Sequence, residues 1–284
     1  IDSSPLMLEG TDSDYQRKFE SSHKRKQRLT KNVDVFSLGC IIYYTLTNGY
    51  HPFGDPIERE KNIVENSYSI HLVDELAQDL VKNMIAFDST QRLNAAEAKN
   101  HPFFWSKSKQ LQFLLDVSDA FEEGSKYAIY KTIIEKNTDL VIHHNWRAQL
   151  SPLLLENLKK YRKYSSSSLQ DLLRVIRNKK HHYHELPNTL KEDIGTMPSG
   201  FLSYFLTRYP SLLIHVYRAT AKICWILDQS LFMDPSEQIR FQQLFSKYYQ
   251  DITPRRLQQL GDDIPDLIHR EYYIEQQQWL TNTL

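Results

Sequence analysis

Cysteine is scarce in this sequence: its 284 residues include only Cys40 and Cys224. A small secreted domain held together by disulfides carries several cysteines, so two distant ones in apolar surroundings argue against such a framework. We therefore expect two buried thiols in a protein of a reducing compartment, with the cytoplasm as the default location.

Long apolar runs are also missing. The longest lies at residues 40–46 and is far shorter than the roughly 20 residues that a membrane-spanning helix needs. The N-terminus lacks the basic and then apolar pattern of a signal peptide. We expect no membrane contact from this chain. It begins with Ile1 instead of methionine, from which we expect that upstream sequence has been lost.

Alternating strand patterns are absent too, whereas apolar residues recur at helical spacing along most of the chain. An apolar content of 40% is enough to bury a core, and the length allows two domains of ordinary size. We predict an all-α fold, with helices over residues 33–48, 73–87, 95–99, 110–122, 127–135, 152–164, 169–183, 200–207 and 211–230. Residues 10–32 are polar and are predicted to form an exposed loop.

The segment RVIRNKKHHYHELP, residues 174–187, concentrates basic side chains and histidines in a chain whose formal net charge is zero. Ser168 and Asp171 form a capping-box pattern that predicts a helix beginning at Leu169. Spacing assigns this helix a buried stripe and an exposed polar face. The stripe consists of Leu172, Leu173 and Ile176, and the polar face of Arg174, Asn178 and His182.

The interpretation without a functional role is a solvated amphipathic helix whose basic last turn interacts favourably with the helix dipole. A metal site at His181, His182 and His184 is disfavoured, because adjacent histidines on a helix point in different directions and no Cys, Asp or Glu partner has ligand spacing. We predict no metal site. The remaining interpretation is a site that handles phosphate.

Arginine offers a bidentate fork to phosphate oxygens, asparagine a neutral donor, and histidine a proton near physiological pH. Cleavage of RNA without metal needs a base for the 2′-hydroxyl proton, a cation for the phosphorane, and an acid for the leaving 5′-oxygen. Arg177, Asn178 and His182 could supply the last two roles. Tyr164 is the nearest titratable hydroxyl for the first.

The stretch KYRKYSSSSLQDLLRVIRNKKHHYHELP closely resembles the ribonuclease module that follows the kinase domain in the inositol-requiring enzyme family of the unfolded-protein response. It resembles the module of ribonuclease L more distantly. The resemblance continues in DVFSLGCIIYYTLTNGYHPFG, LVKNMIAFDSTQRLNAAEAKNHPFFW, KQLQFLLDVSDAFE and GFLSYFLTRYPSLLIHVYRA, and covers roughly residues 1–220.

The resemblance implies a ribonuclease site of Tyr164, Arg177, Asn178 and His182. It implies metal-free cleavage of stem-loop RNA that leaves a 2′,3′-cyclic phosphate, by a homodimer or higher oligomer. In a complete parent protein the site would lie at the cytosolic face of the endoplasmic reticulum membrane. Basic residues around the site are predicted to bind RNA: Lys159, Lys160, Arg162, Lys163, Arg174, Lys179 and Lys180.

The first hundred residues resemble the end of a protein-kinase C-terminal lobe. In this resemblance Asp34 is a buried structural aspartate and Arg92 an ion-paired arginine. Ser4-Pro5-Leu6 stands where kinases carry Ala-Pro-Glu, so Arg92 would need another partner, with Glu9 or Glu97 as candidates. The chain has no Gly-rich loop, His-Arg-Asp or Asp-Phe-Gly motif, so ATP or ADP and magnesium are expected only in a longer parent.

Three regions follow from these observations. Residues 1–106 are predicted to be a truncated kinase C-lobe that supports the second part, residues 107–224 a helical endoribonuclease domain, and residues 225–284 an extension of unknown role. Two segments of this extension, QIRFQQLFSKYY and REYYIEQQQWL, have helical apolar spacing. The rival hypothesis is a non-catalytic module that binds RNA or protein partners through a degenerate kinase lobe.

Overall fold

The computed structural model describes residues 31–122, 128–159, 163–229 and 235–259. Within these ranges the regular elements are helices without any strand, which confirms the predicted all-α fold. The helices are α1 (Lys31–Leu46), α2 (Arg59–Val64), α3 (Glu75–Met84), α4 (Ala95–Lys99), α5 (Lys107–Glu122), α6 (Ala128–Glu135), α7 (Asp139–Ile142), α8 (Pro152–Lys159), α9 (Leu169–His181), α10 (Asn188–Ile194), α11 (Ser199–Arg208), α12 (Leu212–Gln229), α13 (Pro235–Tyr248) and α14 (Pro254–Gln259).

Most helix ends lie within three residues of the prediction, and the exception is α8. The predicted helix over 152–164 ends at Lys159, and residues 163–165 have no regular structure. The carbonyl of Tyr164 accepts a hydrogen bond from Arg147, and the carbonyls of Ser165 and Ser166 accept from Trp146. These carbonyls are therefore satisfied by a neighbouring segment and not by a continued helix.

The kinase-like part is built on the close packing of α1 against α3. A β-carbon at Gly39 would lie 2.8 Å from Cβ of Met84, so only glycine allows this approach. Cys40 is buried in the same contact, and Cys224 is buried in α12, which confirms the prediction of two buried thiols. The predicted loop over residues 10–32 lies outside the described residues except for its last two positions, which open α1.

Asp34 does not occupy the buried position that the kinase resemblance implies. Its side chain is exposed on α1 and makes no hydrogen bond or ion pair with the described residues. Because a charged carboxylate without a partner is stable only in water, Asp34 is not a structural brace within this part of the chain.

Arg92 is held by backbone carbonyls and an aromatic ring. Its guanidinium donates to the carbonyl oxygens of Ala86, Asn32 and Phe87 and lies 4.7 Å from the centre of the Phe36 ring. Glu97 is not its partner, because that carboxylate accepts from the backbone of Asn94 and from Thr253. The other candidate, Glu9, lies outside the described residues.

The ribonuclease-like part is organised around α5, α9 and α12. Leu172, Leu173 and Ile176 of α9 are fully buried, which confirms the predicted stripe. The hydrophobic cluster that contains them also includes Leu76 and Trp105 from the kinase-like part. Leu76 and Trp105 therefore join the kinase-like part to the core of the ribonuclease-like part.

A buried polar contact also joins the two parts. The carboxylate of Asp79 on α3 accepts a hydrogen bond from Nε2 of His101, 2.9 Å away. It also forms an ion pair with Arg218 on α12. Asp79 and His101 are both buried. A buried carboxylate needs such partners, so this contact fixes α3 against α12.

The extension packs onto the same core. The predicted boundary at 224/225 falls inside α12, which runs without a break from Leu212 to Gln229. On α13, the Phe241 ring lies 5.4 Å from Tyr130 and 6.0 Å from Phe121, measured between ring centres. Helix α13 therefore fills a space between α5 and α6.

Polar groups of the extension bind both parts of the molecule. Lys247 and the hydroxyl of Tyr248 donate to Asp116 on α5. Asn100, at the end of α4, donates to Asp251. The end of α13 and the residues that follow it thus bridge the kinase-like and ribonuclease-like parts. The second apolar segment of the extension, residues 270–280, lies outside the described residues.

Among the described residues, none of the helices combines the length and apolar character required to span a bilayer.

If the extension is part of the core, removing one of its buried aromatic rings must destabilise the whole fold. We expect Phe241→Ala to lower the free energy of unfolding by about 3–5 kcal/mol, because Phe241 is 1% exposed. Ile239→Ala on the same helix should change it by less than about 0.5 kcal/mol, since Ile239 is 54% exposed. Denaturant titration measures both values, and equal small losses would contradict this packing.

Candidate active site

Helix α9 begins where a carboxylate from another helix receives its first N–H groups. Glu135, at the end of α6, accepts from Oγ of Ser168 at 2.6 Å, from the Leu169 backbone N–H at 2.8 Å and from the Gln170 N–H at 3.0 Å. These N–H groups have no partner inside the helix, and a negative charge at this end also suits the helix dipole. Glu135 therefore sets the start and orientation of α9.

The predicted capping box is only half formed. Oγ of Ser168 accepts from the Asp171 backbone N–H at 3.2 Å, as predicted. The Asp171 carboxylate does not return to Ser168; it accepts from the Ser165 N–H at 2.6 Å and from Arg174 at 2.9 Å. Asp171 therefore ties the segment before α9 to the helix.

The segment before α9, residues 163–168, holds Tyr164 against the ribonuclease-like part. Nε1 of Trp146 donates to the Ser165 carbonyl at 2.9 Å, and Arg147 donates to the Tyr164 carbonyl at 2.7 Å. The Tyr164 ring meets the Trp146 ring edge-on, with 6.5 Å between ring centres, and Tyr164 is 8% exposed. Its position is thus fixed by backbone and aromatic contacts.

Three of the four predicted catalytic side chains form one hydrogen-bonded chain. Nδ2 of Asn178 donates to Oη of Tyr164 at 3.0 Å. Nε and Nη2 of Arg177 donate to Oδ1 of the same Asn178, at 3.3 and 3.2 Å. The Asn178 amide therefore orients both the hydroxyl and the guanidinium. Residues that are 13 and 14 positions apart in sequence meet here because α9 packs beside the 163–168 segment.

Acidic residues of α5 hold the outer edge of Arg177. Nη1 of Arg177 lies 3.0 Å from Asp119, and Nη2 lies 3.5 Å from Glu122. Arg177 is 16% exposed, so only part of the guanidinium faces solvent. This arrangement keeps a largely buried cation paired with carboxylates.

His182 lies at the end of α9, one turn beyond Asn178, whose carbonyl accepts from the His182 backbone N–H at 3.1 Å. Its side chain is 63% exposed, and Nδ1 lies 3.0 and 3.1 Å from the two carboxylate oxygens of Glu185. His182 is therefore close to Tyr164, Asn178 and Arg177, but among the described residues no hydrogen bond joins its side chain to theirs.

Two residues predicted to bind RNA are otherwise engaged. Lys179 is 6% exposed and donates to Oδ1 of Asn157 at 2.5 Å, and burial lowers the pKa of its ammonium. Arg174 is paired with Glu122 and Asp171. The burial of Lys179 therefore disfavours RNA contact at that position, and the contact expected of Arg174 stays a prediction.

Within the described ranges, the other basic residues that are predicted to bind RNA are at least partly exposed. Lys159 and Lys163 are exposed, and Lys180 is half-buried. Lys159 pairs with Glu156 at 2.9 Å, both largely exposed, so this ion pair is weak and open to competition. Lys160 and Arg162 lie outside the described residues. Lys163 and Lys180 thus remain as predicted RNA contacts near Tyr164 and Asn178.

Sequence reasoning missed the acidic partners of the site. Asp119 and Glu122 are three positions apart and so share a face of α5, a signal that the sequence contains. Glu185 follows His182 at the same spacing. Nothing local marks Glu135 as the cap of α9, because that contact depends on how α6 packs. Among the described residues, groups of three or more potential metal ligands are absent.

Comparison with known proteins adds independent information. The protein kinase domain family matches residues 22–104, and the ribonuclease 2-5A family matches residues 110–234, a range that contains all four predicted catalytic residues. The serine/threonine-protein kinase/endoribonuclease ire-1 of Caenorhabditis elegans is 44% identical over 193 residues, which are 66% of this chain and 20% of that protein. The chain belongs to this kinase/endoribonuclease family.

Other members of the family are similar to the same extent. The serine/threonine-protein kinase/endoribonuclease IRE2 of Homo sapiens is 41% identical over 210 residues, covering 72% of this chain and 22% of that protein. The sensor for unfolded proteins in the ER ire1 of Schizosaccharomyces pombe is 40% identical over 232 residues, or 78% and 22%. The chain thus spans about a fifth of the length of the curated relatives it matches.

If Glu135 fixes the start of α9, replacing it must destabilise the helix that carries the site. We expect Glu135→Ala to lower the free energy of unfolding by about 1–2 kcal/mol, because three donors lose their acceptor. Glu65→Ala, which removes an exposed carboxylate in the kinase-like part, is the matched control and should have little effect. Thermal or denaturant unfolding measures the difference, and equal stability of the two variants would exclude this role.

Proposed function

We propose that this chain is an endoribonuclease that cleaves structured RNA without a metal ion and leaves a 2′,3′-cyclic phosphate. The observation that carries the proposal is the hydrogen-bonded chain of Tyr164, Asn178 and Arg177, with His182 one helical turn further on. Membership in the family, whose named relatives are endoribonucleases, supports it.

The geometry suggests a role for each side chain. Arg177 and the Asn178 amide bind the scissile phosphate and stabilise the extra negative charge of the phosphorane. The Tyr164 hydroxyl accepts the 2′-hydroxyl proton while its own proton passes to water, so that the 2′-oxygen can attack phosphorus. The bond from phosphorus to the 5′-oxygen then breaks, and Nε2 of His182 donates a proton to that oxygen.

The longer protein from which such a chain would come has further proposed properties. It would act as a sensor of unfolded proteins in the endoplasmic reticulum, as the name of the Schizosaccharomyces pombe relative suggests. Its ribonuclease site would lie at the cytosolic face of that membrane. It would bind ATP or ADP and magnesium in a complete kinase domain, and it would cleave RNA as a homodimer or larger oligomer. The kinase-like part described above would then support the ribonuclease.

RNA binding should depend strongly on salt, and the structure specifies which lysines contribute. We expect Lys163→Ala and Lys180→Ala each to reduce the slope of log affinity against log salt by about 0.7–0.9, the value for one lost phosphate contact. Lys179→Met should leave the slope unchanged, since that ammonium is buried. Titration of a stem-loop RNA at several salt concentrations measures the slopes, and an equal reduction by Lys179→Met would place Lys179 in the binding surface.

The reaction itself is tested with a hairpin RNA in the presence of EDTA. Cleavage should persist, and the 5′ fragment should end in a 2′,3′-cyclic phosphate, which mass spectrometry detects. Activity that disappears with EDTA and returns with magnesium or zinc would exclude the mechanism. Binding without cleavage under all conditions would favour the non-catalytic alternative.

The histidines provide a second test of the reaction. We expect His182→Ala to lower the cleavage rate about a hundredfold or more, because the leaving oxygen loses its proton donor. His181→Ala and His184→Ala should have much smaller effects, since neither is placed in a catalytic role. All three side chains are outside the buried stripe, so circular dichroism should show intact folding. Equal losses at the three positions would indicate general RNA contact instead of proton transfer.

A further inference from the structure

A short 3₁₀ turn, Tyr183–Glu185, directly follows the proposed acid and places a carboxylate beside it. Nδ1 of His182 lies 3.0 Å from Oε1 and 3.1 Å from Oε2 of Glu185. The ring therefore faces the carboxylate with one nitrogen and leaves Nε2 as the nitrogen that can reach a substrate. Such a partner commonly fixes both the orientation and the tautomer of a working histidine.

An exposed pair of this kind is usually too mobile to matter, because two free side chains lose entropy when they meet. This turn, however, is anchored on both sides of Glu185. The Tyr183 hydroxyl donates to the Gly195 carbonyl at 2.9 Å, and its ring packs edge-on against Phe201. Leu186, the next residue after Glu185, is buried.

A third contact holds the carbonyl in the middle of the turn. Nζ of Lys191 on α10 donates to the backbone carbonyl of His184 at 2.8 Å. The backbone N–H of Glu185 also donates to the His182 carbonyl at 3.1 Å, which closes the turn. The backbone of Glu185 is thus fixed relative to His182, and only its side-chain rotamer remains to be ordered.

We propose that Glu185 is a positioning residue that orients the His182 imidazole so that Nε2, and not Nδ1, delivers the proton to the leaving 5′-oxygen. The inference rests on the proposed function, because it needs His182 to be the general acid. Glu185 itself touches no reacting atom. In the step considered, the Nε2 proton moves to the 5′-oxygen as the bond to phosphorus breaks, while the Nδ1 hydrogen remains directed at the Glu185 carboxylate.

The first test compares Glu185→Ala with Glu192→Ala in the complete chain. Glu192 is an exposed carboxylate on α10, so its replacement makes the same change in net charge away from His182. We expect Glu185→Ala to lower kcat about ten- to a hundredfold with little change in KM, since orientation of the acid affects only the chemical step. Glu192→Ala should retain the rate of the unmodified chain.

The second test removes the need for an acid. In an RNA whose 5′-bridging oxygen at the cleavage site is replaced by sulfur, the thiolate leaves without a proton. We expect both His182→Ala and Glu185→Ala to cleave this substrate at nearly the rate of the unmodified chain. On ordinary RNA, the double variant should be no slower than His182→Ala alone, because both changes remove the same contribution.

The outcomes distinguish a wrong role for Glu185 from a wrong assignment of His182 as the acid. If His182→Ala is rescued by the sulfur substrate but the deficit of Glu185→Ala persists there, or adds to that of His182→Ala on ordinary RNA, the role of Glu185 is wrong and the proposed acid stands. If His182→Ala shows no deficit on ordinary RNA, the proposed acid is wrong, and the role of Glu185 fails with it.

Discussion

The start of α9 is the constraint on which the candidate site depends. One carboxylate, Glu135, receives three donors there, while the apolar stripe of the same helix is fully buried. The cap fixes the axial position of the helix, and the stripe fixes its rotation about the axis. Together they determine that Asn178 faces Tyr164 and that Arg177 faces the acidic side of α5. The site needs both the cap and the stripe, because with only one of them α9 could still slide along its axis or rotate about it.

Charge on α9 is neutralised selectively, and that selection shapes the site. Arg174 is paired with two carboxylates and Lys179 is buried, so neither adds much field at the surface. Arg177 is likewise paired with two carboxylates, whereas Lys180 is only half-buried and His182 is mostly exposed at the end of the helix. Positive charge is therefore available to a phosphate mainly toward the C-terminal end of the helix. A net charge of zero for the whole chain says nothing about this local field.

Features that depend only on neighbouring residues of one helix were predicted well from the sequence. The stripe of α9 and the ends of most helices follow from spacing alone, because the pattern repeats over several turns. Helices α2, α7, α10 and α14 were missed, since each has seven residues or fewer and shows little periodicity. The contacts of Arg174 with Glu122 and of Lys179 with Asn157 were not predicted, because these partners lie on other helices and a sequence shows that a residue is basic but not what it packs against. Tyr164 was a candidate as the nearest titratable hydroxyl, and the family resemblance, which carries tertiary information that spacing lacks, assigned it to the site.

The division of the chain into a kinase-like and a ribonuclease-like part describes its sequence better than its packing. Leu76 and Trp105 belong to the same hydrophobic cluster as the interior of α9, and the extension binds both parts through Asp116 and Asn100. Helix α3 packs on α12, α12 on α5, and α5 on α9. Because close-packed interiors transmit displacements, a shift of α3 has a contiguous route to α5, where Asp119 and Glu122 hold the guanidinium of Arg177. Helix α5 therefore both holds the guanidinium of Arg177 and is joined, through α12, to α3 of the kinase-like part.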